Sequence, residues 1–218
     1  KMFINLQGFV NPNNNSLNGI VMESGFETSD LKISISGNGR NERITFPYLD
    51  GEGIWKKSTL NYEINGVLWD GSIQSSLVIY LPDVLKGSLS GTINSETRLE
   101  GLNLSSAEFS LPEKWMPMTG TTKGYIKLQG PIGDPSSNIR KYGQLYINDL
   151  TLGPETHLSF SHAVLNFQQK SPQQTLARVQ IKDAVFNNVL IKTVDANLKI
   201  SPEKISLTNG RIIPSHGV

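Results

Sequence analysis

The sequence has no cysteine. That absence removes disulfides, thiolate-ligated zinc and thiol nucleophiles together, and it fits the cytosol as well as an oxidising periplasm. Long apolar runs are missing too: no stretch approaches the ~18 residues of a membrane-spanning helix. Lys1-Met2-Phe3-Ile4 lacks the apolar core and cleavage site of a signal peptide. His216-Gly217-Val218 follows directly on a strand-like run, so both ends read as cut from something longer. Charge is scarce and balanced. Charged residues make up 18% of the chain, against roughly 25% in an average soluble protein. Twenty Lys plus Arg against 19 Asp plus Glu leave a net charge of +1. That balance supplies no attraction for a polyanion or an anionic bilayer surface, and no nucleic-acid partner is expected.

Catalytic constellations are lacking as well. His157 and His162 stand five apart, which on a regular strand points them to opposite faces, and His216 is remote. Asp50, Glu52, Asp134, Asp149 and Asp183 sit beside glycines, prolines or strand ends, where aspartate serves turns and caps. Gly37-Asn38-Gly39 and Gly51-Glu52-Gly53 lack the third glycine and the strand-to-helix setting of a dinucleotide site. Trp55, Trp69, Trp115, Tyr48, Tyr62 and Tyr80 are too scattered for a sugar-stacking platform and read as packing residues. Asn14-Asn15-Ser16 and Asn103-Leu104-Ser105 match the glycosylation tripeptide, which matters only in a eukaryotic secretory pathway. Catalytic, cofactor-binding and metal-ligating residues are therefore expected to number none, and the protein is expected not to be an enzyme.

What the chain does have is alternation. Leu31, Ile33 and Ile35 interleave with Lys32, Ser34 and Ser36, which defines a strand with one apolar and one polar face. The same pattern marks strands at 43–48, 59–64, 76–81, 99–104 and 107–111, a weaker one at 21–26, and a regular ladder over 158–167, 176–182, 194–200 and 204–208. Asp50-Gly51, Asn65-Gly66 and Asp70-Gly71 read as hairpin turns, because these dipeptides tolerate positive φ. Asn11 to Ser16, Asn94-Ser95-Glu96 and 168–175 read as polar turns. Apolar residues never recur at helical spacing over three turns, and Pro82 to Lys86 is too short for more than one helical turn. An all-β protein follows, built as a sandwich, a closed barrel or an elongated curved sheet.

Gly124-Tyr125-Ile126-Lys127-Leu128-Gln129-Gly130 is followed by Gly133-Asp134-Pro135 and then by a second run from Gly143 to Gly153. Gly87 to Ile93 is a weaker copy, and 185–211 holds further strand-like runs. This order of glycine, alternating strand, Asp-Pro and strand resembles the repeating units of TamB-like proteins in the AsmA-like superfamily. The resemblance covers 85–213, whereas residues 1–80 share texture more than motif.

The resemblance implies that 1–218 is one segment of a longer repetitive protein. Its mainly antiparallel sheet would be elongated, curved and folded into an apolar groove, with Pro131 to Pro135 as a rim loop. It implies an inner-membrane-anchored envelope protein whose periplasmic part carries phospholipid between membranes, or a plastid-envelope relative. Implied partners are phospholipid acyl chains, an Omp85-type outer-membrane protein and neighbouring repeats of the same chain. By alternation the groove lining is expected to include Leu31, Ile33, Ile35, Ile126, Leu128, Leu145, Ile147, Val179, Ile181, Val194, Ala196, Leu198, Ile200, Ile205 and Leu207. Roughly a dozen strands at about 4.8 Å each would extend such a groove by roughly 60 Å. The competing expectation is a closed β-sandwich or adhesin-like module that binds protein or carbohydrate.

Overall fold

Alternation carries through to the backbone. The computed structural model describes residues 2–8, 20–37, 40–82, 90–107, 116–133, 139–153, 157–171, 173–201 and 204–215. They form β1 (Met2–Gly8), β2 (Ile20–Gly37), β3 (Arg40–Lys56), β4 (Thr59–Leu68), β5 (Gly71–Tyr80) and β6 (Gly91–Asn103). After a 3-10 turn at Leu104–Ser106 come β7 (Thr119–Ile132), β8 (Arg140–Leu152), β9 (Leu158–Ser171), β10 (Gln174–Phe186), β11 (Val189–Ile200) and β12 (Ile205–Pro214). All twelve belong to one sheet whose order is the order of the sequence, and every neighbouring pair is antiparallel. The sheet is open, with β1 and β12 at its edges, so neither a barrel nor a sandwich describes it.

Several expected turns lie inside strands. Asp50-Gly51 falls within β3, Asn65-Gly66 within β4, and Asn94-Ser95-Glu96 within β6. The reason at β3 is steric. The rings of Phe26 on β2 and Tyr62 on β4 stack at 6.1 Å between centroids, meeting across the strand between them. A Cβ on Gly51 would lie 2.7 Å from Phe26 Cε1, and one on Gly53 would lie 2.0 Å from Tyr62 Cδ2. Glycine there makes room for rings and does not turn the chain. The expected turn at Asp70-Gly71 does form, one residue earlier, at Trp69-Asp70 with φ 47° and 62°, and Asn187-Asn188 makes another tight reversal at φ 48° and 66°. Both dipeptides have two positive φ values, as a two-residue hairpin demands.

The sequence expectations also need merging and narrowing. The weak strand at 21–26 and the strong one at 31–36 are two parts of the single long β2. The polar turn expected at 168–175 is mostly strand, since β9 runs to Ser171 and β10 starts at Gln174. Residues 11–16, 83–89, 108–115, 134–138 and 216–218 lie outside the described residues. With them go the Asn11 to Ser16 turn, the helical turn at 82–86, most of the 107–111 strand, Trp115, His216 and the Asp134-Pro135 part of the rim loop.

Strict alternation breaks along one line across the strands. On β8, β9 and β10 the residues that pack together are three apart, not two: Ile147 and Leu150, Phe160 and Ala163, Ile181 and Ala184. Asp149 and Asp183 take positive φ, 52° and 51°, at this line, and both are exposed together with Ser161. Each strand thus inserts one outward residue, and the next apolar side chain returns to the same side. Asp30, at φ 54°, does the same in β2: Ser29 and Asp30 are both exposed before half-buried Leu31. On β3 exposed Pro47 and Tyr48 separate half-buried Phe46 from Leu49.

The most buried cluster lies beside that line. Leu104, Ala107 and Met118, from the connection between β6 and β7, pack against Leu150, Phe160, Ala163 and Ala184, with Trp69, Leu152 and Ile191 around them. Hydrogen bonds tie this connection to the β4–β5 hairpin: Asn103 N–H donates to the Trp69 carbonyl at 2.7 Å, and the Ser106 hydroxyl donates to the Asp70 carboxylate. One end of the sheet's apolar side is therefore covered by the protein itself.

Candidate functional site

The strand registers sort side chains onto two faces. Following the pairs from β4 to β8, Tyr62 lies opposite Leu77, Leu77 opposite Ser95, Ser95 opposite Leu128, and Leu128 opposite Lys141. A parallel row runs Gly66, Ile73, Leu99, Gly124, Leu145, Leu165, Val179, Ala196 and Gly210 from β4 to β12. Apolar side chains thus share one face of every strand from β4 to β12. Among the described side chains, Lys141 at the exposed start of β8 is the one charge in register with this face.

Gly124 shows how closely the strands of this face approach. Its φ is +151°, and a Cβ there would lie 2.0 Å from the Gln144 carbonyl oxygen. Only glycine fits, which gives the motif glycine before Tyr125 a backbone reason.

Of the expected lining residues, Ile126, Leu128, Leu145, Ile147, Val179, Ile181, Val194, Ala196, Leu198 and Ile200 lie on this face, and all are half-buried. Ile205 and Leu207 share the face on edge strand β12, where they are 69% and 65% exposed because no thirteenth strand flanks them among the described residues. Leu31 and Ile33 reach it through the Asp30 step, Leu31 half-buried and Ile33 exposed. The Ile35 side chain lies outside the described residues. The expectation missed Leu60, Tyr62, Ile64, Ile73, Leu77, Ile79, Ile93 and Leu99 on β4, β5 and β6, and Ala163, Leu165 and Phe167 on β9. The triplet Leu60, Tyr62, Ile64 alternates as cleanly as any that was chosen, so the signal was present.

The opposite face is polar and carries several paired charges. Glu96 accepts from Lys127 at 2.6 Å and from Arg98 at 3.0 Å, and Arg178 grips Asp195 through two nitrogens at 2.6 and 3.0 Å. Beside them, Tyr146 donates to Gln144 at 2.7 Å, Gln144 donates to Asn166 at 2.8 Å, and His162 Nδ1 meets Asn148 Oδ1 at 2.8 Å. His162 is thus held in an amide network on the polar face. No group of three His, Asp or Glu among the described residues has metal-binding geometry.

The Glu96 contacts predict a titration. Hydrogen bonds from Lys127 and then Arg98 hold its carboxyl below the ordinary glutamate range, and the same pair raises Lys127. A depressed carboxylate contributes stability above its unfolded pKa and loses it as pH falls through the folded value. The window for Glu96 is therefore acidic, below the ordinary glutamate range. Carboxyl-carbon NMR should place the Glu96 midpoint below the ordinary glutamate range, and Lys127→Ala should move it back up. The neutral-pH melting temperature should barely respond, since exposed ion pairs are screened. A Glu96 midpoint indifferent to Lys127 would disprove the assignment.

Comparison of the chain with protein-family models, with curated proteins and with solved structures found no match in any of the three. The functional reading therefore rests on the two faces of the sheet and on the sequence motif.

Proposed function

We propose that this chain is a non-enzymatic lipid-binding segment of a TamB-like envelope protein. Its apolar face, folded along the sheet into a groove, shields phospholipid acyl chains that travel between the inner and outer membranes in support of outer-membrane biogenesis. The observation that carries the reading is the apolar face running from β4 to β12 in one open sheet, with no second sheet laid over it among the described residues. An apolar surface of that extent is costly in water at about 25 cal/mol per Å², and it receives hydrocarbon at about 0.8 kcal/mol per methylene. Exposed patches of this kind mark binding surfaces. A sandwich or adhesin-like module needs a second sheet to cover the same residues, so the single sheet favours the conduit.

The resemblance places the segment in the periplasmic part of an inner-membrane-anchored protein of a bacterial envelope, or in a plastid envelope. It supplies an Omp85-type outer-membrane protein and neighbouring repeats of the same chain as partners. No helix among the described residues is long and apolar enough to cross a membrane. Native mass spectrometry of the protein purified from membrane-containing lysate should show phospholipid adducts, and photocrosslinkers at Leu128 and Leu145 should capture lipid in cells. If neither experiment finds lipid, the conduit reading is wrong for this segment.

A further inference from the structure

The apolar face has a polar interruption on β5 and β6. Ser75 and Thr97 lie directly opposite each other, and their hydroxyls hydrogen bond at 2.9 Å. Ser95, two residues from Thr97, lies between Leu77 and Leu128 and is only 8% exposed. Gln169 Oε1 is the one fully buried side-chain oxygen without a partner among the described residues, so the Ser95 hydroxyl, for which no hydrogen bond is seen, keeps an opening to the face. Its neighbours Leu77 and Leu128 offer that hydroxyl no acceptor, so it is free to bond a ligand that reaches the face.

The hydrogen inventory defines what would satisfy the trio. Three hydroxyls carry three O–H donors, and the Ser75–Thr97 bond uses one. Two donors remain on adjacent positions of the face. Their complement is an acceptor oxygen that can enter an apolar setting without charge. A carboxylate fits poorly, because the one cation on this face among the described residues, Lys141, stands two strands from Ser95, beyond Leu128 at the exposed start of β8. A hydrocarbon offers no acceptor at all. An ester carbonyl is neutral, has two lone pairs, and sits at the head of an acyl chain that the surrounding leucines and isoleucines would take.

The geometry points to Ser75, Ser95 and Thr97 as a subsite for the acyl-ester carbonyl of a glycerolipid, a recognition point in an otherwise unselective apolar track. This rests on the reading of the apolar face as a lipid groove and adds a substrate class to it, ester-linked lipids over ether-linked ones. It also sets where along the strands the boundary between glycerol backbone and acyl chain comes to rest.

The test compares two lipids that differ only in the carbonyls. The purified protein is incubated with vesicles holding equal amounts of diester phosphatidylcholine and its diether analogue with the same chain lengths, and the captured lipids are quantified by mass spectrometry. The wild type should capture the diester in about five- to tenfold excess, the worth of one hydrogen bond of about 1 kcal/mol or slightly more. Ser95→Ala with Thr97→Val should bring that ratio close to one by lowering diester capture while diether capture persists. Ser95→Thr, which keeps the hydroxyl, should retain the preference. Strand circular dichroism and the melting temperature confirm that each variant is folded, and Ser95→Ala alone serves if the double variant is not. Equal capture of the two lipids by the wild type, or a preference that survives loss of the hydroxyls, overturns the subsite and leaves the groove standing. Capture of neither lipid overturns both.

Discussion

Ile126→Glu is expected to cut lipid capture by tenfold or more while the sheet remains folded. Ile126 lies between Thr97 on β6 and Gly143 on β8, half-buried on the apolar face. The one cation on this face among the described residues, Lys141, is diagonal to it on β8, so the variant is made together with Lys141→Ala, and its carboxylate then meets acyl chains where Ile126 offers methyl groups. An unpaired charge in hydrocarbon costs several kcal/mol or is forced to neutralise, and either outcome opposes loading. Gln129→Glu on the same strand is the control, because Gln129 is exposed on the polar face opposite Asn94 and Arg140. Added charge there should leave capture unchanged. Equal losses in the two variants would mean that net charge, and not the face, governs binding.

The second large effect is on stability. Leu102 is 1% exposed and is the largest fully buried side chain among the described residues. It lies opposite Thr122, just past the irregularity where β6 shifts register against β7, and the Thr122 hydroxyl donates to the Tyr146 carbonyl at 3.0 Å. Leu102→Ala should cost roughly 2–5 kcal/mol, the range for emptying a buried leucine site. Leu207→Ala, at a residue 65% exposed on the edge strand, should cost no more than about 0.5 kcal/mol. Urea unfolding of lipid-free protein reads both as midpoint shifts at constant slope. Comparable shifts for the two variants would mean that Leu102 is not the sealed packing position its 1% exposure indicates.

Much of this architecture is legible from side-chain pattern because a strand has a period of two, and a one-residue slip would exchange its faces. Ten of the lining residues chosen by alternation, from Ile126 to Ile200, share one face for that reason. The same rule missed the step at Asp149 and Asp183, since positive φ at an aspartate is a local backbone choice that composition does not reveal. Turn dipeptides misled in the opposite direction. Gly51 and Gly53 are small because two rings from neighbouring strands need the space, a contact between residues 36 positions apart in the case of Phe26 and Tyr62.

The hydroxyl trio was invisible for a related reason. Asn94-Ser95-Glu96 has a turn's composition, and only pairing with β5 and β7 turns Asn94 and Glu96 outward and Ser95 inward, between two leucines. Local order along the chain is enough to dictate strand content, the lack of any cysteine chemistry, and the existence of one apolar and one polar face per strand. It acts through residues within a few positions of each other. Three features needed the assembled sheet: strand order and openness, burial of Leu102 beside the covering connection, and the placement of Ser95 between Leu77 and Leu128. Each depends on partners brought together from distant parts of the chain, and no periodicity encodes which partners those are.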